Sequence, residues 1–153
     1  MRKRIITSYS NVITNSSTQV FFLDIDKKLL ELLKDNSMID EVIIVNNKED
    51  VIRAVETYVK ESNTNHYSNS YLIFNALYYA HPDMYGFFDN WGNKGSTWLA
   101  LNEGGKTDRE IIDFLWPVIS DVSGKIYYSF SDDCGTTELA RLLWKNGYPS
   151  ERE

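Results

Sequence analysis

Nine of the chain's 21 aromatic residues fall between Tyr71 and Leu101, in YLIFNALYYAHPDMYGFFDNWGNKGSTWLAL, and no other stretch limits the fold as strongly. In its first part Tyr71, Phe74, Ala76, Leu77, Tyr78 and Tyr79 recur at near-helical spacing, which predicts a helix burying one wide face. Pro82 stops it, because proline lacks the backbone N–H a continuing helix needs. Beyond His81-Pro82 the run MYGFFDNWGNKGSTW sets large rings between Gly86, Gly92 and Gly95, which is loop chemistry loaded with apolar area. Such a loop is either folded down as a lid on the core or held out as a binding surface. Tyr85, Phe87, Phe88, Trp91 and Trp98 are the residues that would make that surface.

A chain of 153 residues fits one globular domain, 1–153, large enough to bury a core without staples. No apolar run approaches the length that crosses a bilayer, so no membrane association is expected. Met1-Arg2-Lys3-Arg4 imitates the basic start of an export signal, but the following IITSYSNVITNSST is broken by polar residues, and no export is expected. Cys134 is the single cysteine, which rules out an internal disulfide and makes a reducing, cytoplasmic setting the simplest one. Net charge is −6 with three positive residues among the first four, so the body is more acidic still. That body repels nucleic-acid backbones and favours basic partners, although spread-out acids are also what an ordinary solvated surface looks like.

Taken in order, residues 4–6 start a short strand and 7–18 form a hydroxyl- and amide-rich turn or ordered loop. QVFFLDI at 19–25 reads as a central strand buried on both faces. Asp26 caps the helix KKLLELLKDN, whose Leu29, Leu30, Leu32 and Leu33 form the buried stripe. MIDEVIIV at 38–45 reads as a second strand, and Asn47 with Asp50 opens an amphipathic helix running through Lys60. A strand is expected at 96–101. Thr107 and Glu110 then make a capping box for a helix that Pro117 kinks near Trp116. KIYYSF is the next strand, and TTELARLLWKN is a last helix ended by Gly147, with a short tail after it. The alternation predicts an α/β or α+β domain on a four- to five-stranded sheet packed by helices.

The run Val12-Ile13-Thr14-Asn15-Ser16-Ser17-Thr18, with Phe21 beyond, resembles the N-terminal segment of a group of small bacterial and phage proteins without established activity. The resemblance implies phage or mobile-element origin and a place in the host cytoplasm or the virion. A second resemblance lies at the end of the first strong strand. Asp24 and Asp26 stand two apart after a hydrophobic run, as in the first motif of haloacid dehalogenase-type hydrolases. That resemblance implies that Asp24 is a nucleophile and Asp26 a general acid. Asp132 and Asp133, after KIYYSF, would then help hold magnesium. The plain alternative for an Asp after a strand is a helix cap.

Other catalytic patterns are thinner. His66 sits in a polar loop and His81 abuts Pro82, and neither position marks a base. Asp132 and Asp133 oppose thiolate formation at Cys134. GGKTD lacks the spaced glycine of a phosphate-binding loop, and a turn before a capped helix explains it. The sequence therefore points first to a small acidic protein that binds another protein, a basic one being favoured by charge, without a cofactor, as a virion part or an inhibitor of a host factor. The competing class is a magnesium-dependent hydrolase on the Asp-x-Asp edge.

Overall fold

The computed structural model describes residues 18–61 and 69–152. The strand expected at 4–6, the segment 12–17 and His66 lie outside them. The fold is α+β, and among the described residues six α-helices pack on a four-stranded antiparallel sheet.

The strands are β1 (Thr18–Asp24), β2 (Ile43–Val45), β3 (Lys125–Ser131) and β4 (Glu151–Arg152), ordered β2-β3-β1-β4. β1 is interior, as its apolar run requires, and alternation sends its side chains to two separate cores. Val20 faces Leu72, Ala76, Tyr79 and Tyr127. Phe21 faces the opposite way, onto Leu29, Leu33, Leu139 and Leu143. Helices α1 (Lys27–Asp35) and α6 (Glu138–Lys145) thus cover one side of the sheet. The other side carries α2 (Lys48–Glu61), α3 (Asn69–Ala80) and α5 (Asp108–Ile119), together with Phe88 and Trp98 from the aromatic stretch.

α3 is the hub of that second side. Every residue from 72 to 77 is buried, so the helix has no solvated stripe and packs on all sides. The local signals around the other helices are read out as expected. Asp26 Oδ1 accepts from the Leu29 backbone N–H at 2.7 Å, and Thr107 and Glu110 form a complete capping box. Asn47 Oδ1 accepts from the Asp50 N–H at 3.1 Å. Pro117 lies inside α5 within three residues of its end, where a 3-10 turn, Ser120–Val122, takes over. α6 ends in a Schellman motif, in which the N–H groups of Gly147 and Tyr148 bond back to Trp144 and Leu143. α1 ends the same way through Ser37 and Met38, but there Ser37 takes the left-handed position at φ 59°.

Two expectations are corrected. Residues 96–101 form α4 (Ser96–Glu103), not a strand: Trp98 and Leu101, three apart, both turn toward the core. The strand expected over 38–45 shrinks to three residues because Met38 is spent on closing α1 and Ile39–Glu41 is a 3-10 turn. The short tail adds a strand to the sheet, with Glu151 and Arg152 pairing with Val20 and Gln19. Ser150 anchors it by donating to Gln19 Oε1 at 2.8 Å and accepting from Trp144 Nε1 at 3.0 Å.

Candidate functional site

The loop between α3 and α4 is a built object. Its two limbs are joined by the Gly95 N–H donating to Phe87 O at 2.8 Å and the Thr97 N–H donating to Gly86 O at 2.8 Å. Phe88 and Lys94 form an isolated antiparallel bridge. At the tip, Asp89 Oδ1 accepts from the backbone N–H groups of Trp91 and Asn93 at 2.9 and 3.0 Å. From below, buried Asn75 of α3, with its amide turned to the orientation that suits both neighbours, donates to Asn90 O at 3.1 Å and accepts from the Gly92 N–H at 3.3 Å. Gly95 has to be glycine, because a Cβ there would stand 2.3 Å from Gly86 O.

The base of the loop is fixed by one carboxylate. Asp108, the first residue of α5, accepts from Trp98 Nε1 at 2.9 Å, from Asn102 Nδ2 at 3.1 Å, and from Lys94 Nζ at 3.1 and 3.2 Å. The Lys94 and Asp108 side chains are only 13% and 17% exposed. Burial pushes the Asp108 carboxyl up, but the bonds from Trp98, Lys94 and Asn102 together outweigh it and hold the group below its ordinary value. Lys94, Trp98 and Asp108 come from the loop and two helices, so this cluster sets how the three meet.

The five expected surface residues divide. Phe88 and Trp98 are fully buried and Phe87 is half-buried, so these three belong to the core side of the loop and cannot make the contact surface expected of them. Trp98 packs edge-on to Phe74 with ring centroids 5.4 Å apart. Tyr85 and Trp91 are 75% and 73% exposed. The lid and the surface are therefore one loop: its inner rings close the core and its outer two face solvent. Phe114 and Val118, four apart on α5, add further exposed apolar area that the helical pattern alone hides, since α5 also carries buried Ile111, Ile112, Leu115 and Ile119.

The carboxylates of the Asp-x-Asp reading do not converge. Asp24 pairs with Lys125, which holds its carboxyl below the ordinary value, and its side chain is 84% exposed. Asp26 is turned away to cap α1. Asp132 and Asp133 follow Ser131, which lies opposite Thr18, whereas Asp24 lies opposite Lys125. The antiparallel register thus puts the two acidic pairs at opposite ends of β1, roughly 20 Å apart at the usual strand rise. Asp132 is instead occupied by Arg152 at 3.2 Å and Gln19 Nε2 at 3.3 Å. Among the described residues no group of three or more His, Cys, Asp or Glu side chains is placed to hold a metal ion.

Sequence reasoning missed two polar features. Asp108 gave only the signal of an acid in a first helical turn. His81, buried at the end of α3, has Nε2 2.6 Å from Asp121 Oδ1 across 40 residues of sequence. Asp121, Asp24, Lys125 and Glu151 line an open cleft of about 860 Å³ with Phe22, Leu23, Tyr79 and Ala80. No helix among the described residues is long and apolar enough to cross a membrane. No protein-family model, curated protein or solved structure matches this chain.

Proposed function

We propose that this chain works by binding another protein through Tyr85 and Trp91. One observation carries the reading: two large rings stand about three-quarters exposed on a loop whose limbs, tip and base are held by hydrogen bonds and by buried Phe88. Exposing such rings forfeits burial energy, and a loop ordered beforehand spares a partner most of the entropy cost of binding. Tyr and Trp are also the residue types that dominate interface hot spots. The net charge of −6 favours a basic partner surface and disfavours direct contact with nucleic acid. The likeness of the segment 12–18 to small bacterial and phage proteins supports a phage or mobile-element source, with a virion protein or a host factor as partner.

The test compares proteins retained by wild type with those retained by the Tyr85→Ala/Trp91→Ala double variant in host lysate, alongside thermal melts of both. The variant is expected to melt within a few degrees of wild type, because neither ring is in the core. It should bind the retained partner at least about thirtyfold more weakly, the effect of losing about 2 kcal/mol of hot-spot contact. An unchanged retained set with equal affinity overturns the reading.

A further inference from the structure

The geometry points to a second binding site on the open edge of β1, one that takes an extended, basic peptide segment as an added antiparallel strand. The ladder between β1 and β4 covers only Gln19 and Val20. Beyond Val20 the chain of β4 leads back to Pro149, which has no N–H to donate, and no described residue pairs with β1 on that side.

The free backbone groups can be assigned by alternation. The Ile25 N–H donates to Gly124 O at 3.0 Å, on the β3 side. In an antiparallel ladder the N–H and C=O of one residue point the same way and those of its neighbours the opposite way. Ile25, Leu23 and Phe21 therefore face β3, while Phe22 and Asp24 present both backbone groups to the open edge. Both residues line the 860 Å³ cleft, so there is room beside them for another strand. β4 already shows that this edge accepts an antiparallel strand.

Charge selects the occupant. The cleft is lined by three carboxylates, Asp24, Asp121 and Glu151, against one ammonium, Lys125; Lys125 is tied to Asp24, and His81 Nε2 lies 2.6 Å from Asp121. A strand laid beside Phe22 and Asp24 has alternate side chains on the same face as theirs. Arginine or lysine at those alternate positions would lie among the three acids, with the Phe22 and Tyr79 rings beneath. This is strand addition, in which main-chain bonds give affinity and alternate side chains give selectivity. It uses none of the residues of the Tyr85 and Trp91 surface, so either reading stands if the other fails.

The probe is a blocked hexapeptide of alternating valine and arginine, titrated into the ¹⁵N-labelled full chain. We expect shifts at Phe22, Leu23, Asp24 and Glu151, slower exchange of the Phe22 and Asp24 N–H groups, and a millimolar or tighter Kd. N-methylating the arginines, whose N–H groups would face β1, should weaken binding at least about tenfold, whereas N-methylating the valines should not. Replacing arginine by glutamate should abolish binding, and Glu151→Gln should weaken it by about two- to fivefold. Absence of binding at millimolar peptide, equal affinity for the two N-methylated forms, or shifts confined to another surface would each overturn the proposal.

Discussion

Asp108 and Asp24 each accept from a lysine, and their surroundings make them opposite kinds of residue. Asp108 is mostly buried and takes four hydrogen bonds from three side chains, so its charge is fully used in joining the loop, α4 and α5. Asp24 is 84% exposed and bonds to Lys125 at the rim of an open cleft. A buried charge that loses its partner is left uncompensated in a medium that screens poorly, while an exposed one is taken over by water. The first carboxylate therefore builds the fold, and the second is available to whatever enters the cleft.

The largest effect should come from Asp108→Ala. It strands the Lys94 ammonium, the Trp98 indole N–H and the Asn102 amide together, and the expected loss is about 3 kcal/mol, measured by urea unfolding. The damage should spread to the Tyr85 and Trp91 surface, because Lys94 forms the bridge to Phe88 that closes the loop. A loss under about 1 kcal/mol would mean that the cluster is incidental to loop order, and the contrast with Asp24 would collapse.

Acid should expose the same difference more gently. The folded state holds the Asp108 carboxyl below its ordinary value, so the stability it contributes is complete above the unfolded-chain value near 3.8. That contribution is lost as pH falls further, through the folded value. Asp50 and Glu110 are also held low and contribute their own acid sensitivity. The informative quantity is thus the gap in unfolding free energy between wild type and Asp108→Asn. It should be constant from about pH 7 to pH 5 and narrow below about pH 4. A gap that widens on acidification would reverse the sign and refute the assignment.

How much of this was legible follows from how local each signal is. Asp26, Thr107 with Glu110, and Gly147 act on backbone groups within three or four residues, and their roles could be read from spacing alone. The fold class followed from the same elements and their apolar runs. The antiparallel register could not be read, because nothing within a strand says which neighbour it pairs with; that is why Asp24 and Asp132 looked like companions at one edge. Residues 96–101 are ambiguous in sequence because Trp98 to Leu101 is a short unbroken apolar run, which periodicity alone cannot assign to a strand or a buried helix. Only burial of Trp98 and Leu101 on one side decides for the helix. Of the five aromatic candidates, Tyr85 and Trp91 differ from Phe88 and Trp98 only in which way the folded loop faces them, a tertiary property. Asp108 was invisible for a similar reason: its donors Lys94 and Trp98 lie ten or more residues away.

Asp24→Asn should have the smallest effect of the three. The substitution keeps the size and most of the hydrogen-bonding capacity of the side chain and removes an exposed charge, so the expected change in stability is within about 0.5 kcal/mol. Lys125 would not be stranded: its side chain is 30% exposed and its Nζ lies 5.7 Å from the centre of the Phe22 ring, a second favourable neighbour. Thermal melts at low and at moderate salt check this, and the small difference should shrink further with salt because ions screen a surface pair. A loss above about 1.5 kcal/mol, insensitive to salt, would place the Asp24–Lys125 pair in the same class as the Asp108 cluster. The cleft would then be held together by the charges proposed to greet a ligand, and a basic strand would have to compete with Lys125 for Asp24.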